Sequence, residues 1–220
     1  MKRLVAMLLA AVLLSPVAAR ADDTVKIGVL ADMSSLYADL GGPGSVVAVK
    51  MAVDDFGGTV LGKKIEVVSA DHQNKPDVAS SIARQWFDEQ GVQMITDLTT
   101  SSVALAVQEI AREKNKIILI NGAASSDLTG KACAPTSVHW VYDTTALANG
   151  TGAAVVKAGG NTWFFITADY AFGHALQSDT AAVVEANGGK VLGSVNLPLN
   201  TADFSSFLLQ AQASKAKIIG

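Results

Sequence analysis

A single cysteine, Cys133, stands in 220 residues, so no internal disulfide can form even where the compartment would preserve one. No histidine or basic partner is arranged around it. Cys133 therefore reads as a small buried or half-buried residue and not as a nucleophile. Histidine is scarce as well. His72, His139 and His174 share none of the close spacings that bring two imidazoles onto one metal, and no metal site is expected. Basic clusters are missing too. Once Lys2, Arg3 and Arg20 are set aside, the formal charge moves from −3 to −6 against 20 Asp and Glu. That balance excludes nucleic acid and an anionic membrane surface as partners. After Leu14 no long apolar run recurs, which excludes a membrane-spanning helix further along. The glycine-rich turn at Gly41-Gly42-Pro43-Gly44 has neither the G-x-G-x-x-G nor the Walker spacing, and no cofactor is expected.

What is present begins with a leader. Lys2 and Arg3 precede an apolar run from Leu4 to Leu14, and Ala19-Arg20-Ala21 offers an A-x-A cleavage site. Residues 1–21 are therefore read as a signal peptide, with an exported mature chain starting at Asp22.

The stretch from Met94 to Leu128 organises the rest. A short apolar run at Met94-Ile95-Thr96 leads into the hydroxyl cluster Thr99-Thr100-Ser101-Ser102. Val103, Ala106, Val107, Ile110 and Ala111 then recur at helical spacing. The β-rich run Ile117–Ile120 follows, and a second small loop, Asn121 to Ser126. Strand, loop, helix, strand and loop in that order put both loops at the carboxyl edge of a parallel sheet, where open α/β sheets bind ligands. The hydroxyls there are either ordinary helix caps or ligand contacts beside the positive end of a helix.

Strands alternate with helices on either side of this unit, indicating an α/β doubly wound architecture. Val25–Leu30 and Ile65–Ser69 read as strands. Val46 to Phe56 and Val78 to Phe87 read as helices, the second capped by Asn74 or Asp77. Between Asp127 and Asp143 no helix of useful length fits, and the chain is read as crossing from one lobe to another there. The pattern restarts with Trp163–Ile166, a helix from Ala175 to Ala186, a strand from Lys190, a helix from Phe204 to Ala213, and Lys217-Ile218-Ile219. The expected domains are a first α/β lobe over 22–141, including the crossing strand, and a second over 142–220. The sequence stops in an apolar strand, so the second lobe is expected to be incomplete and the chain a fragment.

IGVLADMSSLYADLGG, ITDLTTSSVALAVQEIA, INGAASSDLTG and FFITADYAFGHAL, in that order, resemble the solute-binding proteins of ABC transporters, within the branched-chain amino acid (Leu/Ile/Val) binding family. The resemblance implies two lobes of the type I periplasmic-binding-protein fold closing on a small ligand. It implies that Ser102 holds the ligand carboxylate, with Thr100 and Ser101 assisting, and that Gly122, Ala123, Ala124 and Ser125 approach the polar head. Members typically carry Ala-Thr where this chain has Ala123-Ala124-Ser125, so the contacting hydroxyl is Ser125 or absent. Tyr170 and Phe172 would cover the ligand, with Tyr37 as the opposite wall. Asp169 would meet an ammonium group or cap a helix, and Trp140 would be core or ligand wall. The implied role is an exported binding component that delivers an amino acid or an aromatic or aliphatic carboxylate to a membrane permease. A ligand sensor on the same fold, signalling to a receptor partner, is the alternative. An α/β-hydrolase-type enzyme is disfavoured, because the hydroxyl-rich loops lack G-x-S-x-G and S-x-x-K, and no catalytic residue is assigned.

Overall fold

The computed structural model describes residues 24–220, and the leader expected at 1–21 lies outside the described residues. Two sheets organise them. The first is built from β1 (Thr24–Ala31), β2 (Thr59–Val60), β3 (Lys63–Asp71), β4 (Val92–Asp97), β5 (Ile117–Ile120) and β6 (Ser137–His139), in the order β2-β3-β1-β4-β5-β6. All its pairings are parallel except β2 with β3. That antiparallel edge is a two-residue strand turned at Leu61 and Gly62, both with positive φ.

Helices α1 (Gly42–Asp55), α2 (Pro76–Asp88) and α3 (Ser101–Glu113) connect these strands. The periodicity of α2 buries Ala79, Ala83, Trp86 and Phe87, and α3 buries Val103, Ala104, Val107, Ile110 and Ala111 against the same sheet face. Gly28 of β1 makes room for the Trp86 ring, since a Cβ there would lie 2.4 Å from a ring carbon. Neither Asn74 nor Asp77 caps α2. Lys75 occupies the cap position without a side-chain bond, and the Asn74 side chain instead accepts a hydrogen bond from Thr100.

The second sheet has β7 (Thr162–Ala168) between β8 (Lys190–Leu197) and β9 (Ile218–Ile219), all parallel. Trp163 and Phe165 of β7 stack at 5.9 Å and pack on Val156 of α4 (Thr144–Lys157) and Val184 of α5 (Ala171–Ala186). Helix α6 (Ser205–Ser214) lies between β8 and β9 in the chain. Asp143 caps α4, accepting from the Ala146 amide at 2.7 Å. Helix α5 starts four residues before its clear periodicity.

Two expectations about the crossing segment are corrected. Trp140 is neither core nor cavity wall, because β6 ends at His139 and leaves its ring 75% exposed. Cys133 is exposed, since the turn carrying it runs over the surface. Among the described residues no helix is long and apolar enough to cross a membrane.

Candidate functional site

The carboxyl ends of β1, β4 and β5 face that of β7, and the loops after them enclose a cavity of about 180 Å³. Each loop is shaped by its own sequence. After β1, the buried Asp32 carboxylate accepts from the amide and hydroxyl of Ser35 and from the Tyr37 amide, at 2.9, 2.6 and 2.9 Å. Burial alone would raise the Asp32 pKa, but these bonds outweigh it and hold the carboxyl below its ordinary range. The result fixes Tyr37 over the cavity.

After β4, Asp97 and Leu98 both take positive φ, 81° and 55°, a conformation uncommon for non-glycine residues. The Asn121 side chain supports it by accepting from the Asp97 amide and the Thr96 hydroxyl, each at 3.0 Å. This bend drops Thr99, Thr100 and Ser101 onto the cavity floor. None of the four hydroxyls caps α3. Thr99 donates to Asp97 and Thr100 to Asn74, whereas Ser101 Oγ accepts the Ser125 amide at 3.1 Å and keeps its own proton to give. The amino end of α3 thus meets the cavity at Thr100 and Ser101 with no side-chain cap on its first-turn amides, at the positive end of a helix of 13 residues.

After β5, Gly122, Ala123 and Ala124 form the adjoining wall. His139 Nε2 lies 2.7 Å from the Ala123 carbonyl and the Thr144 amide donates to Ala124 O at 2.8 Å, which pins this loop from below. From the second sheet come Tyr170 and Phe172, their rings 5.9 Å apart. Tyr37 Oη and Tyr170 Oη meet at 3.1 Å across the mouth. Burial and that contact together push the Tyr170 phenol well above its usual pKa.

The structure therefore brings Tyr37, Thr100, Ser101, Gly122, Ala123, Ala124, Tyr170 and Phe172 together on one cavity. It does not place Ser102, Ser125 or Asp169 there. Ser102 Oγ accepts the Ala171 amide of α5 at 3.3 Å, because the amino ends of α3 and α5 abut. Ser125 is fully buried and its hydroxyl caps the short turn at Ser126–Leu128. Asp169 is exposed and pairs with His174 at 2.8 Å; it neither caps α5, whose cap is Tyr170, nor reaches the cavity. Sequence reasoning missed Leu40 and Tyr142, which also line it, as does Thr99 of the hydroxyl cluster. All three tyrosines of the chain are thus on this wall.

Two larger cavities are less suited to a polar ligand. One of about 410 Å³ lies between α1 and the first sheet and is lined by apolar side chains apart from Thr96. The other, of about 460 Å³, runs from Tyr37 and Tyr170 along α5 to the core of the second sheet. Of the three, the 180 Å³ cavity is the one that meets the amino end of α3 with side chains from both sheets around it. Among the described residues no cluster of His, Cys, Asp or Glu could hold a metal ion.

The sequence matches the periplasmic binding protein family over residues 24–220. The chain belongs to the periplasmic binding protein family. A solved periplasmic binding protein from Burkholderia mallei is 60% identical, with a TM-score of 0.87 over 90% of this chain and 53% of that one. A solute-binding protein of an ABC transporter from R. palustris, in complex with 4-hydroxybenzoate, is 26% identical, with a TM-score of 0.77 over 90% of this chain and 53% of that one. The Leu/Ile/Val-binding protein homolog 6 of Brucella abortus is 26% identical over 218 residues, 99% of this chain and 55% of its own length. This periplasmic binding protein thus spans about half the length of the relatives it matches. Its α/β fold is that of the family, with flanking helices on mostly parallel sheets.

One buried acid in this binding protein works against stability. Asp97 is 2% exposed with Oδ2 unpartnered, and burial raises its carboxyl pKa despite the hydrogen bond that Thr99 donates to Oδ1. A carboxyl whose folded pKa exceeds its unfolded one costs stability when ionised; the cost is absent in acid and grows as pH rises through the folded value. Asp97→Asn keeps an acceptor for Thr99 and tolerates positive φ. It is expected to raise Tm at neutral pH by a few degrees, on a scale of about 2–4 °C per kcal/mol. Melts across the acid-to-neutral range check the sign, since a gain that grows toward acid contradicts it.

Proposed function

We propose that this protein is the exported ligand-binding component of an ABC importer, holding a small carboxylate between two lobes and handing it to a permease. On this reading residues 1–21 are removed on export to the periplasm, and the lobes comprise residues 22–141 and 142–220. The observation that carries the proposal is the uncapped end of α3 with the spare Ser101 hydroxyl, opposite the Tyr37, Tyr170 and Phe172 rings. A carboxylate suits the first feature, and a flat or branched apolar body suits the second. The cavity is small beside the roughly 300–1,000 Å³ that drug-sized ligands occupy, in keeping with one ring or one short side chain. The 4-hydroxybenzoate bound by the R. palustris relative and the Leu/Ile/Val of the Brucella relative's name are ligands of those dimensions.

Calorimetric titration with benzoate, 4-hydroxybenzoate, leucine, isoleucine and valine tests the proposal. Binding of at least one with one-to-one stoichiometry is expected, and heatless titrations across the panel refute it. Ser101→Ala removes the floor hydroxyl whose proton is not already given to Asp97 or Asn74 and is expected to weaken that ligand by about 1–3 kcal/mol, the scale for a hydrogen bond to a charged group. An unchanged Kd removes Ser101 from the anion site.

A further inference from the structure

The loop that forms the Ala123–Ala124 wall does not hold itself in place. We infer that Asp179, on α5 in the second lobe, is a positioning residue that clasps this loop and thereby sets the opening of the cleft. Its Oδ2 accepts from the hydroxyls of Thr144, Ser126 and Thr145 at 2.7, 2.8 and 3.3 Å. Thr144 Oγ1 in turn accepts the Ser126 amide at 2.9 Å, and the Thr144 amide donates to Ala124 O at 2.8 Å. The result is a closed ring of bonds, from the loop to the start of α4, on to α5 and back to the loop.

Three features mark this as more than surface decoration. Thr144, the centre of the ring, is fully buried. Ser126 and Asp179 lie 53 residues apart and belong to different lobes, so the ring exists only at one lobe-to-lobe orientation. No cation pairs with Asp179 among the described residues, so hydroxyl donors alone meet its charge. Such charge-assisted bonds are stronger and more directional than neutral ones. Because α4 and α5 pack closely, with Gly152 of α4 against Val183 of α5, a ligand-side movement of the loop is transmitted to the whole second lobe.

The inference rests on the ligand reading above, and its test separates the two. Leu is close to Asp in size but accepts nothing, whereas Asn still offers one oxygen to the point where all three hydroxyls converge. In the protein purified from its native source or expressed at its natural length, Asp179→Leu is expected to weaken the panel ligand about tenfold or more. Asp179→Asn is expected to stay within about threefold. Spin labels on Cys133, which is exposed, and on Glu185→Cys of α5, with any cysteine outside these 220 residues replaced by Ser, read the lobe separation without ligand. Asp179→Leu is expected to broaden that distance distribution and Asp179→Asn to restore it. Should Asp179→Leu not fold, Ser126→Ala removes one of the bonds and is expected to broaden the distribution by itself. A role confined to stability would lower Tm and leave the distribution and the Kd unchanged well below Tm, and that outcome overturns the inference. A wild-type protein that binds nothing in the panel refutes the ligand reading only, and the label distances still decide the clasp.

Discussion

Trp86→Ala is expected to lower the melting temperature by about 6–20 °C, from about 3–5 kcal/mol lost at a buried aromatic and about 2–4 °C per kcal/mol. Trp86 is 4% exposed and sits where α2 meets the first sheet, with its ring over the Gly28 backbone. Nothing nearby can collapse into the vacated space. Gly28 has no side chain, and the surrounding Leu30, Ala79, Ala83, Val92 and Ile95 belong to regular elements already committed to their own register. The cavity is therefore retained, which puts the cost at the upper part of the range. A melt within two degrees of wild type, followed by circular dichroism at fixed pH, contradicts this account of the core.

Gly122→Ala is expected to weaken ligand binding by about 5- to 150-fold while leaving the fold intact. A Cβ at Gly122 would lie 2.7 Å from the Thr99 Cα and 3.4 Å from Asp97 Oδ1. Backbone, not a flexible side chain, blocks it, so the two cavity loops must move apart. Overpacking of this kind costs about 1–3 kcal/mol, which the ligand feels as the stated loss because both loops that grip it are displaced. The β4 loop has little room to yield, since Asn121, the neighbour of Gly122, already buttresses its positive-φ bend. Titration with whichever carboxylate binds wild type checks this, and equal affinity would show that the two loops do not act as one floor.

Much of this arrangement is legible in residues alone. Met94–Thr96 and Ile117–Ile120 read as adjacent parallel strands, and they pair Met94 with Ile117. The apolar spacing from Val103 to Ala111 reads as a helix with a buried stripe, which α3 is. Position along a strand also dictates which loop residues share an edge, so Thr100, Ser101 and Gly122 fall together by topology. Other features obey distances that no local pattern encodes. The Ser102 hydroxyl belongs to Ala171 because two helix ends abut. Tyr142 reaches the cavity from an irregular segment with no periodicity to flag it. Asn74 sits where a cap is usual, yet its side chain is taken by Thr100, 26 residues on. Hydroxyl and amide side chains have many possible partners, and the tertiary fold selects among them.

The Tyr37–Tyr170 contact spans 133 positions of the chain. Synthesis runs from the amino end, so the strands through His139 can pair while the second sheet is still unmade. Long-range closures of this kind come late in folding, after the loop entropy has been overcome. On the proposed reading, a solute arriving early would find only half a grip. Occupancy of the cleft would then count finished molecules, and added solute would draw refolding toward completion without hastening its first steps.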